Sequence, residues 1–231
     1  MDKEQFEKEL KKLNIELTKT QKEQLNKYYE MLVNANEHTN LTRITDEKEV
    51  YLKHFYDSLT IVKTIDLNDD LSLVDIGTGA GFPGLVLKIV FPNLKVTLLD
   101  SSTKRITFLE EIIKELDLKN IKTVNSRIED YKKEKFDILT SRAVAKTNIL
   151  LELSCQLVKT KGYFILLKGN IEEELKESEN ALNKLNLKLI EKTDFYLPIE
   201  NSKRTILKIK KEKEIDMKYP RNFAKIKKNP L

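Results

Sequence analysis

Cysteine and histidine are scarce in this chain, and long apolar runs are absent. Its 231 residues include one cysteine, Cys155, and two histidines, His38 and His54. These counts exclude a disulfide framework, a cysteine-rich zinc site and a histidine cluster, so we expect no metal site. The apolar runs are short and carry charges such as Lys88, and the first five residues are charged rather than signal-like. We therefore expect a cytoplasmic protein with no membrane association.

The positive charge is concentrated towards the C-terminal end. The formal net charge is +5, yet from Ser202 onward eleven Lys or Arg residues stand against three acidic ones. Such asymmetry favours a polyanionic partner. A solvated lysine-rich tail produces the same pattern more often than not, so the charge distribution alone leaves both interpretations open.

Residues 74–84 (VDIGTGAGFPG) form the most informative stretch. An apolar run containing Asp75 opens into glycines at alternate positions, and a helix-like segment over 82–91 follows. Glycines there let the backbone turn sharply and come close to a ligand. The next apolar run ends in Asp100, about 20 residues further on, where a carboxylate would hold the hydroxyls of a nucleotide ribose. The pattern predicts a nucleoside-cofactor site.

Two cofactors compete for this site. Gly79, Gly81 and Gly84 fit the GxGxxG dinucleotide fingerprint, so spacing alone leaves an NAD oxidoreductase open. Asp75 argues against it, because a dinucleotide pyrophosphate at this turn would be repelled by a carboxylate. S-adenosylmethionine instead presents a cationic ammonium and sulfonium, which Asp75 would attract. The acid-x-Gly-x-Gly-x-Gly order, including Gly77, resembles motif I of the Rossmann-like methyltransferases.

Alternating periodicities predict an α/β fold in two parts. Residues 1–67 form an N-terminal helical cap, and residues 68–231 form a Rossmann-like domain with a basic C-terminal segment. The predicted strands are 71–76, 95–99, 121–125, 135–140 and 161–168, separated by helices near 82–91, 104–117 and 146–158 and followed by one near 171–186. Two last runs, 187–197 and 203–211, predict an antiparallel hairpin that closes an otherwise parallel sheet.

Ligands bind at the carboxyl ends of the strands in such sheets. That rule selects five clusters for one crevice: 75–81, 100–101, 126–130, 141–143 and 168–169.

With these clusters in view, the chain is similar to the glucose-inhibited division protein B family over nearly its whole length. The motifs that carry the resemblance are Asn40-Leu41-Thr42, His54-Phe55-Tyr56-Asp57-Ser58-Leu59, residues 75–84, Leu98-Leu99-Asp100-Ser101 with Lys104-Arg105, Thr140-Ser141-Arg142-Ala143, Leu167-Lys168-Gly169, Tyr219-Pro220-Arg221 and Pro230-Leu231. The resemblance implies a Rossmann-like fold and transfer of a methyl group from S-adenosylmethionine to N7 of a guanine in bacterial small-subunit (16S) ribosomal RNA. The implied partner is that RNA or the 30S particle; we expect a monomer with no protein partner.

The resemblance also implies roles for individual residues. Gly77 and Phe82 would contact the cofactor, Asp100 would bind its ribose, and Ile128 and Glu129 would frame its adenine. Arg142 would complete the cofactor site, and Asp75 and Gly79 belong to the same predicted site.

Cations near the strand ends are the predicted RNA contacts. Arg142 and Lys168 are expected to position the RNA through phosphate or guanine O6. Lys104 and Arg105, which open a helix after Asp100, are predicted to hold a phosphate, with an exposed helix face equally compatible. Arg221 completes the predicted RNA-binding set.

The expected chemistry needs no general base. Guanine N7 carries an unprotonated lone pair, so alignment of donor and acceptor is the main task of the protein. The chain lacks the Asn-Pro-Pro-aromatic motif of exocyclic-amine methyltransferases, and Cys155 falls inside a predicted helix, which argues against thiolate attack on cytosine. Three alternatives stay open: a methyltransferase with another acceptor, an NAD oxidoreductase, and an inactive RNA-binding protein.

Overall fold

A seven-stranded sheet lies at the centre of the protein, whose computed structural model describes residues 1–231. The strands are β1 (Ser72–Ile76), β2 (Lys95–Asp100), β3 (Ile121–Asn125), β4 (Phe136–Arg142), β5 (Val158–Lys168), β6 (Leu187–Tyr196) and β7 (Lys203–Lys211). Their order is β3-β2-β1-β4-β5-β7-β6; the first five are parallel, and the β6–β7 hairpin adds antiparallel to β5. The predicted parallel sheet closed by a hairpin is therefore confirmed.

Helices cover the sheet and form the N-terminal part of the chain. The α-helices are α1 (Lys3–Lys11), α2 (Lys19–Thr39), α3 (Glu47–Glu49), α4 (Asp57–Leu59), α5 (Gly84–Val90), α6 (Thr103–Glu115), α7 (Thr147–Ser154), α8 (Glu172–Glu177), α9 (Glu179–Lys184) and α10 (Phe223–Lys228). A π-helix (Val50–Tyr56) joins α3 to α4, and 3-10 turns follow at Thr60–Lys63 and Ile128–Asp130. No helix is both long and apolar enough to cross a membrane.

The neighbours of β1 place the candidate site. This strand pairs with β2 on one side and β4 on the other, and the chain crosses over in opposite directions from it. Its residues from Leu73 to Ile76 are all buried because helices cover both faces. A crevice opens at the carboxyl ends of the strands at such a switch point, which is where the glycine loop, the end of β2 and the end of β4 meet.

The N-terminal helices share an apolar core with the sheet. Phe6, Leu25 and Tyr28 belong to the same buried cluster as Leu73 and Leu85. Thr18 and Gln21 form a capping box at the start of α2. Because the core is continuous across residues 67 and 68, the division of the chain at that point stays a prediction.

The helical segment that follows α2 is irregular. Asp46 caps it by accepting a hydrogen bond from the backbone N–H of Glu49. Its middle is the π-helix, an uncommon conformation that often marks functional sites. This segment carries His54 and leads into Asp57, both of which face the sheet.

Three elements differ from the sequence predictions by a break or by three residues or more. The helix predicted over 171–186 is divided at Ser178, whose hydroxyl bonds back to the carbonyl of Glu174 and competes with regular helix geometry. The helix containing Cys155 ends at Ser154, so the cysteine is a buried C-terminal cap residue. Strand β5 begins at Val158 rather than 161.

The C-terminal segment is folded rather than a solvated tail. Ile226 is fully buried, and Tyr219 and Leu231 are no more than 9% exposed. Lys211 is also fully buried and donates hydrogen bonds to the carbonyls of Cys155 and Val158. The apolar residues between the lysines anchor the segment, and this outweighs the solvation of its exposed charges.

Candidate functional site

The glycine loop between β1 and α5 has the sharply turning, positive-φ backbone that its sequence predicts. Gly77 and Gly79 both have φ of +62°, and Gly81 has φ of +107°. Side chains rarely adopt these values without strain. A Cβ on Gly84 would stand 2.7 Å from the Cβ of Asp75, so this glycine allows the close packing of α5 on β1.

Asp75 is fully buried beneath this loop and holds it closed. Its Oδ2 accepts hydrogen bonds from the Thr78 hydroxyl at 2.6 Å and from the Gly84 N–H at 2.8 Å, while Oδ1 has no partner in the protein. Burial raises the pKa of Asp75 to about 7. The carboxyl group therefore organises the loop from inside, and its proposed attraction to a cationic cofactor would act through the loop or through water.

The raised pKa of Asp75 predicts a pH-dependent stability. The folded protein holds the proton up to about pH 7, whereas the unfolded chain releases it near 3.8. The stabilising contribution is therefore complete below pH 3.8 and is lost as pH rises through 7. Between pH 5 and 8, the fall in the free energy of unfolding should be smaller in Asp75→Asn than in wild type, by about 2 kcal/mol.

Urea unfolding of the wild type and the variant at both pH values measures this difference. Asp69→Asn, a substitution of an exposed carboxylate just before β1, is the matched control and should leave the slope as in wild type. Identical slopes in wild type and Asp75→Asn would show that Asp75 is already ionised at pH 5.

Two glycines of the loop should respond differently to alanine. A Cβ on Gly81 would lie 2.7 Å from the Tyr28 hydroxyl and 2.9 Å from the Cβ of Leu85, whereas a Cβ on Gly79 meets no atom within 4 Å. Gly81→Ala should therefore destabilise the fold by about 3 kcal/mol or more. Gly79→Ala should lower the free energy of unfolding by only about 1 kcal/mol, because alanine at this position must adopt a left-handed conformation.

Thermal unfolding and cofactor titration separate the two effects. A methyl group at Gly79 would project into open space, where the cofactor is expected to approach the backbone of the loop. We therefore expect Gly79→Ala to weaken cofactor binding while the fold survives. Equal destabilisation by both substitutions would contradict the geometry.

The first of two clefts lies at the ends of β2 and β3 and is called the Asp100 cleft. Its volume is about 540 Å³. Asp100 is 3% exposed and accepts hydrogen bonds from the N–H groups of Gly79 and Ser102. The Asp100 cleft is lined by Gly77, Leu99, Asp100, Ser101, Arg105, Ser126, Arg127, Ile128, Glu129, Ala143, Val144, Ala145, Ile149, Leu153, Phe223 and Lys227.

The Asp100 cleft brings together four of the eight predicted cofactor residues. Gly77, Asp100, Ile128 and Glu129 all line it. Arg105 also lines it, with Nη1 3.3 Å from Asp100 Oδ2. The guanidinium of Arg105 thus pairs with the Asp100 carboxylate in the cleft. Its predicted contact with a phosphate stays a prediction.

The second cleft lies at the ends of β4 and β5 and is called the Arg142 cleft. Its volume is about 640 Å³, and its lining comprises Ile44, Lys53, His54, Asp57, Arg142, Ala143, Val144, Ala145, Lys146, Leu167, Lys168, Gly169, Glu174 and Arg204. Five basic side chains and two carboxylates lie there together. Its net charge favours an anionic ligand.

Arg142 is held in a fixed position within this cleft. Its Nη1 donates to the carbonyl of Lys53 at 2.8 Å and to Asp57 Oδ2 at 3.1 Å, and Nη2 lies 3.1 Å from His54 Nδ1. Asp57 also accepts from Arg204 Nε at 3.1 Å, so one buried carboxylate orients two guanidinium groups. Arg142 lines this cleft and not the Asp100 cleft, although Ala143 and Val144, which follow it, line both. Its predicted contacts with the cofactor and with RNA stay predictions.

His54 is buried and neutral in this network. Burial, with the charge of Arg142 adding to it, lowers the pKa of His54 to about 3. Its Nδ1 accepts from Arg142, and its Nε2 lies 2.9 Å from the Thr42 hydroxyl. The imidazole ring therefore orients Arg142 and is not poised to accept a proton from a substrate.

Phe82 packs against His54 and Arg142, which line the Arg142 cleft. Its ring stacks on His54 with centroids 4.3 Å apart and on Tyr28 at 5.6 Å, and the Arg142 guanidinium stands 5.1 Å from its centroid. Phe82 is 6% exposed and lines neither cleft. A cofactor contact by this ring stays a prediction.

The other predicted RNA-binding cations have different surroundings. Lys168 is in the Arg142 cleft, where it donates to the carbonyl of Ala145 and to Glu174 at 2.7 Å. Lys104 is exposed on α6 and lines neither cleft. Arg221 makes a bidentate ion pair with the fully buried Glu152, so its guanidinium serves an internal contact.

The two clefts share a wall at the end of β4. Ala143, Val144 and Ala145 line both. Ala143 has φ of +56°, and Lys168 holds the turn through the Ala145 carbonyl. Two ligands bound in the clefts would therefore meet at this turn, which is the arrangement that a group transfer requires.

Sequence reasoning missed several residues of the Arg142 cleft. Asp57 lay inside a quoted motif but was given no role, and Lys53, Lys146 and Arg204 carried no distinguishing pattern. Phe223, which lines the Asp100 cleft, lies in the segment that composition described only as basic. An aromatic residue among lysines was the one available signal.

Comparison with known proteins agrees with this geometry. The model of the GidB family, described as rRNA small subunit methyltransferase G, matches residues 21–216. The Ribosomal RNA small subunit methyltransferase G of Lactobacillus helveticus (strain DPC 4571) is 47% identical over 100% of both chains. That of Lachnoclostridium phytofermentans is also 47% identical, over 100% of this chain and 98% of the relative.

A solved structure shows the same fold at low sequence identity. A SAM dependent methyltransferase from Aquifex aeolicus matches with a TM-score of 0.57 at 19% identity, over 75% of this chain and 97% of that chain. The full-length match to the curated relatives, together with the family model, decides the assignment: the chain belongs to the GidB family, rRNA small subunit methyltransferase G.

Proposed function

We propose that this protein transfers a methyl group from S-adenosylmethionine to N7 of a guanine in small-subunit (16S) ribosomal RNA. The single observation that carries the proposal is the shared wall at Ala143–Ala145, on either side of which lie a nucleoside-sized cleft and a basic cleft. Family membership supports both the reaction and the substrate.

The donor cleft fits S-adenosylmethionine. Asp100 offers carboxylate oxygens for ribose hydroxyls at the end of β2, and the apolar side chains of Ile128, Ile149 and Leu153 offer walls for adenine. The positive-φ turn at Gly77 allows the backbone to approach the amino-acid part closely. The orphaned, buried Oδ1 of Asp75 adds a carboxyl group beneath the loop, where a cationic ligand is favoured over a pyrophosphate.

The acceptor cleft fits a nucleotide. Arg142 and Arg204 are oriented by Asp57, and Lys53 and Lys146 stand at the same cleft. Arginine pairs readily with phosphate and with guanine O6, and a contact at O6 or phosphate leaves the N7 lone pair free to react. Arg142 and Lys168 are thus proposed as positioning residues; Lys168 acts by holding the Ala145 turn.

The chemistry requires alignment and little else from the protein. S-adenosylmethionine supplies an electrophilic methyl group on a sulfonium. The guanine N7 lone pair forms the new bond to the methyl carbon as the carbon–sulfur bond breaks, and no proton leaves N7. His54 has a pKa of about 3 and accepts a hydrogen bond from Arg142, so it is not poised to act as a general base. The two carboxylates of the cleft are engaged as well, Asp57 with Arg142 and Arg204 and Glu174 with Lys168.

The proposal is tested by labelled-methyl transfer to unmodified small-subunit RNA and to 30S particles, followed by chemical cleavage at N7-methylguanine. Label at a single guanine supports the proposal. Cofactor binding without transfer to either substrate would indicate a methyltransferase with another acceptor. Failure to bind S-adenosylmethionine, with binding of a nicotinamide dinucleotide, would overturn the donor assignment.

The proposal includes a cytoplasmic protein that acts as a monomer. A ribosomal substrate supports the location, and both clefts are built from one chain, which supports the monomer. Light scattering at the concentration of the methylation assay tests the second point.

A further inference from the structure

The last fifteen residues of the chain reach the mouth of the Asp100 cleft. Phe223 and Lys227, on successive turns of α10, line this cleft together with Asp100 at the end of β2. These residues lie beyond the segment matched by the family model, which ends at residue 216. A segment outside that match therefore contributes part of the wall of the candidate cofactor site.

The segment is fixed there by contacts that are largely buried. Arg221 donates from Nε and Nη2 to the two oxygens of Glu152 at 2.6 and 2.7 Å, and Glu152 is fully buried on α7. Gln156 donates to the carbonyl of Tyr219, and Ile226 is fully buried. A bidentate pair of this kind fixes both distance and orientation. The ion pair, the hydrogen bond to Tyr219 and the buried Ile226 together fix the position of α10 against α7.

Phe223 stands out because its ring is left partly uncovered. It is 39% exposed, although it lies beside the apolar side chains of Ile149 and Leu153 in the same cleft. The same cleft also carries Asp100 and Glu129, which suit the ribose hydroxyls and the polar edge of a base. A flat apolar ligand group bound in this cleft would cover the ring and remove its apolar surface from water.

We propose that Phe223 is an adenine-binding residue and that the C-terminal segment, held by Arg221 and Glu152, forms the outer wall of the cofactor site. This inference rests on S-adenosylmethionine being the ligand of the Asp100 cleft. It assigns the Arg221 ion pair a positioning role for the cofactor in place of its predicted contact with RNA. Lys227 lies at the same rim, one turn further along α10.

The test is calorimetric titration of Phe223→Ala, Phe223→Tyr and the wild type with S-adenosylhomocysteine in the absence of RNA. We expect the affinity of Phe223→Ala to fall about tenfold, within the range for loss of one aromatic–base stack. Phe223→Tyr keeps the ring and should bind within about twofold of the wild type. Met217→Ala, which removes an 83% exposed side chain from the same segment, is the matched control and should bind as the wild type.

Thermal unfolding without ligand should be the same for all four proteins, because the ring is partly exposed in the free state. Unchanged affinity in Phe223→Ala would overturn the inference. An equal loss in Phe223→Ala and Phe223→Tyr would also overturn it, since the aromatic ring would then not be the reason. Absence of methyl transfer to RNA in a wild-type protein that binds the ligand would contradict the proposed function and leave this inference intact.

Discussion

Replacing Asp100 with alanine is expected to lower the affinity for S-adenosylmethionine by about a hundredfold, as two charge-assisted hydrogen bonds of 1.5–3 kcal/mol would predict. The carboxylate is 3% exposed and is oriented by the N–H groups of Gly79 and Ser102, so it is already placed before a ligand arrives. Its loss removes the proposed ribose acceptor and also leaves the Gly79 N–H of the glycine loop without its partner. Both effects weaken cofactor binding.

Titration with S-adenosylmethionine measures this loss directly. Asp100→Asn, which keeps the shape and one acceptor oxygen, should lie between wild type and Asp100→Ala. Asp70→Ala is the matched control, because Asp70 stands at the opposite end of the sheet and pairs with Lys95 at the surface. If Asp100→Ala bound the cofactor as tightly as Asp70→Ala, the ribose assignment would be wrong.

Replacing Asp57 with asparagine is expected to reduce the rate of methyl transfer by about a hundredfold while cofactor affinity stays within about twofold of wild type. Asp57 is 5% exposed and accepts from Arg142 on one oxygen and from Arg204 on the other. Without its charge, the two guanidinium groups repel each other and lose their common orientation. The Arg142 cleft then binds RNA without aligning its guanine.

Single-turnover methyl transfer at saturating cofactor isolates this effect from donor binding. Asp194→Asn serves as the control, because Asp194 bonds Thr205, the residue after Arg204, away from the cleft. Thermal unfolding of Asp57→Asn is measured in parallel, since leaving buried cations without their partner lowers stability as well. Loss of cofactor binding with normal single-turnover chemistry would place Asp57 in the donor site and contradict its assignment to the acceptor site.

The outcome for the predicted site differs between its two halves. The residues of the donor half were predictable because glycines and a carboxylate at the ends of consecutive strands must meet at one edge of a parallel sheet. Gly77 and Asp100 accordingly line one cleft, together with Ile128 and Glu129, whose roles the family resemblance implied. The other predicted cofactor residues, Asp75, Gly79, Phe82 and Arg142, do not line it. For the acceptor half, the sequence offered only cations at strand ends, and it could not say which of them were already paired within the protein.

Arg221 shows why charged residues resist prediction. The chain has 42 basic and 37 acidic residues, so each cation has many possible partners in the sequence. Glu152, which pairs with Arg221, is 69 residues away, and only the packing of α7 against the C-terminal segment brings them together. Arg221 is consequently paired within the protein, which its sequence context did not indicate, and its contact with RNA stays a prediction.

The sequence by itself determined the α/β alternation, the antiparallel hairpin, the sharply turning glycine loop and the number of residues between that loop and Asp100. Each of these depends on local periodicity or on backbone conformations that few residues adopt, and these are properties of neighbours in the chain. The tertiary structure alone decided the clamp of Arg142 and Arg204 by Asp57, the neutral state of His54 and the position of Phe223. These depend on burial and on contacts across 69 or more residues, for which local sequence carries no signal.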